Sequence, residues 1–240
     1  MQCSTLPTSR RSAGNVRLLT AALFGAAMLA ACSSDNSTGT TGTASAIVVA
    51  SGNAQSGTAG SALATALMVT VTDATGAPVS GATVTFTATG GATLSSSTAT
   101  TNSSGQATTT VTLGHTAGPD TVTATATGVS TSAIFTATTT AGAAANIAIV
   151  SGNTQSALHG TLLTSPLIVQ VSDQFGNPVS GAMVTWTASS TGVLGSSTTT
   201  TDATGKAQTT WTLPLLAGAD TTTASLSGTA ATTIFTATGS

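Results

Sequence analysis

Apolar and polar residues alternate along most of the chain after residue 44. In one such stretch Leu67, Val69 and Val71 share one phase, while Met68, Thr70 and Thr72 share the other. The same period of two gives further members of the apolar phase: Val84, Phe86, Ala88, Ala107, Thr109, Val111, Leu113, Val122, Ala124, Phe135 and Ala137. A period of two is typical of strands with one buried face. The pattern therefore predicts short strands.

Turn-forming residues separate these strands at short, regular intervals. The segment "DATGAPVSG" begins at Asp73, "TNSSG" ends at Gly105, and "HTAGPD" contains Gly118 and Pro119. Asp bonds the backbone two residues on, Gly adopts positive φ, and Pro fixes φ near about −65°, so each cluster favours a chain reversal. About seven strands per hundred residues predict a Greek-key β-sandwich of immunoglobulin type.

A second version of this pattern lies one hundred residues further along. Residues 51–140 align with residues 151–240 without a gap, and about half of the aligned positions are identical. The passage "DATGAPVSGATVTFTA" returns as "DQFGNPVSGAMVTWTA". Each repeat is long enough to form its own core. We therefore predict an all-β chain with two tandem immunoglobulin-like sandwiches, at residues 45–140 and 141–240.

Composition agrees with an all-β chain and limits the partners. The chain is 4% charged and 40% hydrophobic, and Thr, which fits a half-exposed pleated surface, is abundant. Arg10, Arg11 and Arg17 lie near the start, so the rest of the chain keeps six Asp and one cation, Lys206, for a net charge of about minus five. One cation cannot neutralise a row of phosphates, so we expect no nucleic-acid partner.

The first 31 residues have the pattern of a secretory signal. A basic start precedes the apolar run "LLTAALFGAAMLAA", whose length of about fourteen residues is too short to cross a membrane. The segment "LAAC", which ends at Cys32, resembles the lipobox of bacterial lipoprotein signal peptides. This resemblance implies that Cys32 carries the lipid and begins the mature chain. An ordinary signal peptide with an incidental Cys32 is the alternative.

Residues 32–44 are rich in Ser, Thr and Gly, and they predict a flexible tether. Ser33 follows the lipidated position where Asp would direct retention, so the resemblance favours the outer membrane or the cell surface.

The two predicted sandwiches lack the usual disulfide. Cys3 lies within the signal, and an acylated Cys32 has no free thiol. Buried aromatic side chains are expected to stabilise the cores instead, namely Phe86, Phe135, Trp186, Trp211 and Phe235.

The repeated pattern also resembles a known family. The order V-x-D-x-x-G-x-P-V-x-G-x-x-V-x-F/W, followed by G-x-A and A-G-x-D, is similar to the bacterial Ig-like domains of group 1 found in intimins and invasins. In the first repeat it runs from Val71 to Phe86 and then through Gly105, Ala107 and Ala117 to Asp120. In the second it runs from Val171 to Trp186 and on to Asp220. The resemblance implies a stiff spacer module in a tandem array. Intimins and invasins end in a lectin-like tip that has no counterpart in this sequence, so host-cell adhesion is not implied.

Residues suited to catalysis are few. A hydrolytic triad needs a His beside a nucleophile and a carboxylate. His115 and His159 have no counterpart in the other repeat, where Leu215 and Ala59 stand, and we expect both in solvated loops. No catalytic residue, cofactor site or enzymatic activity is predicted.

Residues suited to metal binding are the aspartates. Most of them stand in turn contexts, and we expect them to cap turns: Asp73, Asp120, Asp173, Asp202 and Asp220. Calcium is the alternative, because it binds carboxylate oxygens, but no Asp-dense loop is present. No metal site is predicted.

One asymmetry between the repeats indicates a contact surface. Phe175 replaces Thr75 within the turn, and "LPLL" at Leu213–Leu216 replaces "LGHT". If both loops lie at one end of the second sandwich, they form an exposed apolar tip that contacts a partner. Packing between the domains or within the core is the alternative.

Together these features predict a non-enzymatic, lipid-anchored protein of the cell envelope. Its tandem Ig-like repeats act as a spacer or an adhesion and interaction module with an unknown protein or glycan partner. A carbohydrate-binding or envelope-binding accessory lipoprotein is the alternative.

Overall fold

The computed structural model describes residues 42–240, which form two β-sandwiches in tandem. The all-β prediction is confirmed, because this part of the chain contains strands, turns and loops without a helix. Accordingly, residues 42–240 hold no helix that is long and apolar enough to cross a membrane.

The first sandwich contains ten strands. They are β1 (Ala46–Ser51), β2 (Gln55–Thr58), β3 (Leu67–Thr72), β4 (Thr83–Ala88), β5 (Thr93–Leu94), β6 (Thr98–Thr100), β7 (Gln106–Thr109), β8 (Val111–Thr112), β9 (Gly118–Ala126) and β10 (Ser132–Thr140). One sheet has the order β1-β3-β7, the facing sheet has the order β2-β10-β9-β4-β6, and β5 pairs with β8. All pairs are antiparallel except β2 with β10.

The second sandwich repeats this topology. Its strands are β11 (Asn146–Ser151), β12 (Gln155–Ala157), β13 (Leu167–Ser172), β14 (Met183–Ala188), β15 (Val193–Leu194), β16 (Thr198–Thr200), β17 (Lys206–Thr209), β18 (Trp211–Thr212), β19 (Gly218–Leu226) and β20 (Thr232–Gly239). The sheet orders are β11-β13-β17 and β12-β20-β19-β14-β16. Ten strands form where the sequence predicted about seven, because short segments such as β5 and β8 also pair.

The chain passes from one sheet to the other between β1 and β2. The register of β1 against β3 shifts between Val49 and Ser51, and Gly52 follows with a φ of 87°. Gly fits this position because a side chain would meet the carbonyl oxygen of Ala66 and because positive φ disfavours other residues. Because of this crossing, β1 forms an edge strand of one sheet and β2 forms an edge strand of the other.

The alternating side chains close a separate core in each sandwich. Residues on the apolar phase of β3 and β13 are at most 1% exposed. All five aromatic residues expected in the cores are buried: Phe86, Phe135, Trp186, Trp211 and Phe235. Residues 42–240 contain no cysteine, so packing rather than a disulfide joins the sheets in this part of the chain.

Candidate functional site

The turn between β13 and β14 is fixed by one carboxylate. Asp173 Oδ1 accepts hydrogen bonds from the amides of Phe175 (2.8 Å) and Asn177 (2.9 Å). Asp173 Oδ2 accepts from Gly142 N (2.8 Å) and Asn177 Nδ2 (2.9 Å). Gly176 completes the turn with a φ of 88°. We call residues 173–178 the junction turn, because they contact the first sandwich.

These bonds also set the charge of the turn. Burial acts to raise the pKa of Asp173, but the hydrogen bonds from Asn177, Gly142 and Phe175 outweigh it and leave the pKa below its ordinary value. The carboxylate therefore stays ionised at neutral pH, and it holds both the turn and the linker residue Gly142.

Two side chains of the junction turn bind the first sandwich. The ring of Phe175 stacks on His115 with centroids 4.1 Å apart and an interplanar angle of 6°. Asn177 Nδ2 donates to the carbonyl of His115 (2.7 Å), and Asn177 Oδ1 accepts from Ala117 N (2.8 Å). Gly60 gives the ring room, since a methyl group there would lie 3.2 Å from Phe175 Cζ. The two sandwiches thus share a specific, hydrogen-bonded contact.

The structure places Phe175 in packing between the domains, which was one of the two interpretations of this residue. Phe175 remains 38% exposed, whereas Asn177 is 6% exposed. Contact of the exposed part of Phe175 with a partner stays a prediction. Asn177 and Gly60 were not predicted from the sequence. Asn177 stands where the first repeat has Ala77, and a comparison of the two repeats at this turn would have pointed to it.

The condition that Phe175 and Leu213–Leu216 lie at one end of the second sandwich is not met. β13 and β17 run antiparallel, with Gln170 beside Lys206. The turn after β13 and the loop after β18 are therefore at opposite ends. The junction turn faces the first sandwich, and the leucine-containing loop lies at the far end.

Three leucines are exposed at that far end. Leu158, Leu215 and Leu216 are 66%, 78% and 81% exposed, while Leu213 is buried. Their two loops adjoin, because Gly160 N donates to Pro214 O (2.8 Å). We call Leu158, Leu215 and Leu216 the leucine tip. The first sandwich has Thr58, His115 and Thr116 at these positions.

The two histidines lie in loops, as expected. His115 stacks on Phe175, and His159 Nδ1 lies 3.1 Å from the carbonyl oxygen of Ser240. Within residues 42–240 neither imidazole is hydrogen-bonded to an aspartate side chain, so the described part brings together no Ser-His-Asp arrangement.

The aspartates divide into two groups. Asp73, Asp173 and Asp202 cap turns as expected: Asp73, for example, accepts from Thr75 N (2.8 Å) and Ala77 N (3.0 Å). Hydrogen bonds from Thr75 and Ala77 lower the pKa of Asp73, and bonds from Lys206 N and Thr204 lower the pKa of Asp202. These carboxylates are occupied by the turns that they stabilise.

Turn capping is wrong for Asp120 and Asp220. Both are strand residues, in β9 and β19, and both are buried. Asp120 accepts from the Thr139 hydroxyl, and Asp220 accepts from the Ser190 hydroxyl (2.7 Å). Among the described residues, no group of three or more His, Cys, Asp or Glu is placed to hold a metal ion.

Cys32, the signal segment at residues 1–31 and most of the tether at residues 32–44 lie outside the described residues. Lipidation at Cys32 therefore stays a prediction.

Several solved structures are similar to this chain. The D0-D1 domain of intimin is 23% identical with a TM-score of 0.33, and the match covers 82% of this chain and 98% of that one. The Escherichia coli adhesin FdeC is 22% identical with a TM-score of 0.46, covering 83% and 65%. Yersinia pseudotuberculosis InvD is 22% identical with a TM-score of 0.49, covering 82% and 57%. No curated protein matches at a significant level.

Sequence models of known families give the assignment. The model of the bacterial Ig-like domain (group 1) matches residues 48–141 and residues 163–238. These segments correspond to the two sandwiches, and together they cover most of the chain. The chain therefore belongs to the family of bacterial Ig-like domains of group 1.

Proposed function

We propose that the protein is a non-enzymatic lipoprotein of the cell envelope, whose two Ig-like domains hold an interaction surface away from the membrane. The junction is the observation that supports this proposal most strongly. Phe175 and Asn177 bind the second sandwich to the first through stacking and two hydrogen bonds. A contact that fixes the angle between two domains is what a spacer requires, since a free linker would allow the distal domain to move.

The anchor is a second part of the proposal. Cys32 follows an apolar signal segment, and a lipid at this position would attach the chain through the tether at residues 32–44. Gly42 lies beside Asp73, in the first-sandwich turn at the end opposite the junction. The anchor would therefore hold the first sandwich at the membrane and leave the leucine tip of the second sandwich free.

A protein partner fits the surface better than a glycan. Glycan binding generally uses exposed aromatic rings, and the core aromatics of residues 42–240 are all buried, with Phe175 stacked on His115. The accessible apolar surface at the free end is instead the leucine tip, and exposed apolar patches commonly mark protein interfaces.

The anchor is tested by Cys32→Ser in the full chain, followed by fractionation of the cell envelope. We expect this variant to leave the membrane fraction, whereas Cys3→Ser, which changes the cysteine within the signal, should stay in it. Retention of Cys32→Ser with the membrane would contradict the lipid anchor.

The interaction role is tested with the soluble chain that lacks residues 1–32, coupled to beads and exposed to intact envelopes. We expect the beads to retain the envelopes. This retention should be lost when Leu158 and Leu216 are replaced by threonine, which stands at the aligned positions 58 and 116 of the first sandwich. Equal retention of both forms would contradict an interaction surface at the tip.

A further inference from the structure

We propose that the leucine tip binds the leucine tip of a second copy of this chain. The inference rests on the proposed function, because it names the partner of the interaction module. Leu158, Leu215 and Leu216 are 66%, 78% and 81% exposed on two adjoining loops. Such side chains are stabilised when another apolar surface removes them from water.

The same surface of the first sandwich is already an interface. There Gly60, His115 and Ala117 receive the junction turn of the second sandwich. The aligned positions in the second sandwich are Gly160, Leu215 and Ala217. This end of the fold is therefore an interface in the first repeat, and in the second repeat the aligned surface carries leucines that are exposed within residues 42–240.

The second copy does not dock through one of its turns. Its junction turn is engaged within its own chain. The aligned turn of the first sandwich carries Thr75 and Ala77. It therefore lacks the side-chain amide with which Asn177 bonds the backbone of the first sandwich. A turn docked at the tip would bury the Leu215 carbonyl and the Ala217 amide without partners, which is costly.

Leu215 also changes the chemistry of the surface. It stands where the first sandwich has His115, the ring on which Phe175 stacks. The tip therefore presents exposed aliphatic side chains in place of the ring that receives an aromatic side chain. A two-fold contact is made by the same surface on both copies, so the leucines of one tip pack against the leucines of the other.

Charge also allows the tip to meet itself. Asp220, near the start of the strand that follows the loop, is buried and bonded to Ser190, and Lys206 lies at the other end of β17. His159, beside Leu158, lies against the Ser240 oxygen, so among residues 42–240 no exposed Asp or Lys side chain adds repulsion at such a contact. A tip-to-tip pair leaves the two N-terminal tethers at its outer ends, which is the arrangement needed between two facing cell surfaces.

The contact area is small. Three leucines per copy are fewer than a stable interface of about 1,000 Å² requires, so single copies should associate weakly. Many anchored copies on one surface raise the effective concentration, and the combined contacts become strong. We therefore expect association on beads at protein concentrations where the free chain is monomeric.

Disulfide trapping tests the geometry of the contact. The chain without residues 1–32 contains no cysteine, so Leu216→Cys introduces a single thiol. On beads under mild oxidation, we expect Leu216→Cys to form covalent dimers at least ten times faster than Thr116→Cys, the aligned position of the first sandwich. When Leu158→Thr and Leu215→Thr are added to the Leu216→Cys chain, its rate of dimer formation should fall to that of Thr116→Cys. Equal rates for Leu216→Cys and Thr116→Cys would overturn the inference.

Further measurements distinguish a two-fold contact with a second copy from the other possible partners. Trapping of Leu216→Cys with Thr75→Cys, but not with itself, would show head-to-tail docking and overturn the two-fold contact. Leucine-dependent flotation with phosphatidylcholine vesicles, without trapping, would show a lipid surface and also overturn it. Beads that bind envelopes from cells lacking the protein, yet do not bind each other, would contradict this inference and leave the proposed function standing.

Discussion

The same turn follows β3 in the first sandwich and β13 in the second, but only the second of these turns contacts the neighbouring sandwich. Both turns have a capping aspartate that accepts the amides two and four residues on. In the turn of the first sandwich Thr75 and Ala77 are exposed, whereas Phe175 and Asn177 in the second bind the neighbouring sandwich. The backbone bonds to the aspartate are the same in both turns, whereas the side chains at these two positions differ, and in the second sandwich they contact His115 and Ala117 of the first.

The interiors differ as well. Asp120 accepts from Thr139, but Gly239 stands at the aligned position in the second sandwich. Asp220 therefore bonds only Ser190, and its Oδ2 has no partner among the described residues. Buried polar atoms without partners reduce stability. The second sandwich, which carries the junction turn and the leucine tip, thus has an interior whose polar atoms are less completely hydrogen-bonded.

The largest expected effect concerns the aromatic core. Trp186 is buried against Phe235, with ring centroids 5.9 Å apart, and its Nε1 donates to Thr199 Oγ1 (2.8 Å). Trp186→Ala should lower the free energy of unfolding of the second sandwich by about 3–5 kcal/mol. Trp186→Phe, which introduces the residue of the first repeat, should cost much less. Urea unfolding followed by the fluorescence of Trp211 measures both variants, and an equal loss for the two would contradict the core role of the larger ring.

A smaller effect is expected at the capping aspartates. Asp173 holds four hydrogen bonds, so Asp173→Ala should lower the free energy of unfolding by about 2 kcal/mol. The matched control is Asp202→Ala, because Asp202 caps an exposed turn of the same sandwich. Tryptophan fluorescence reports on both, since Trp186 and Trp211 are the only tryptophans of the chain. An Asp202→Ala chain that loses more stability than Asp173→Ala would reverse the assignment.

The same carboxylates predict the dependence of stability on pH. The pKa of Asp173 is lower in the folded state than in the unfolded state, so its contribution is present above the ordinary pKa of about 3.9. It is lost as the pH falls through the lowered value. We expect the free energy of unfolding to decrease from pH 7 to pH 3, and to decrease less in Asp173→Ala. Stability that rises on acidification would contradict this sign.

The smallest effect concerns Asp220. Gly239→Thr restores the hydroxyl that Thr139 provides in the first sandwich, and a side chain fits there because a methyl group would lie 3.6 Å from the nearest atom, His159 Cβ. We expect a gain of about 1 kcal/mol in the free energy of unfolding. Gly239→Val has a similar shape but no hydroxyl, so a gain of equal size in that variant would show that the hydrogen bond is not the cause.

The sequence predicted the all-β class, the two repeats and the five core aromatics because these depend on local periodicity and on repetition. The period of two placed Leu67, Val69 and Val71 on one face, and burial follows it. Asp120 and Asp220 were misjudged because an aspartate near Gly and Pro has the same local pattern at a turn and at a strand start. Asn177 and Gly60 were missed because their contact joins two domains, and a pattern within one repeat does not reveal which end of it meets the other. Whether residues 213–216 share an end with Phe175 was left open for the related reason that strand direction decides where a loop lies.

The contact of Phe175 and Asn177 with the first sandwich fixes the second sandwich on it. Its most direct test is the distribution of distances between two spin labels, attached at Thr85→Cys in the first sandwich and Thr198→Cys in the second, in the chain without residues 1–32. We predict one narrow distribution that broadens when Phe175→Thr and Asn177→Ala introduce the residues of the first repeat. A broad distribution in the unaltered junction, unchanged by these substitutions, would contradict the account.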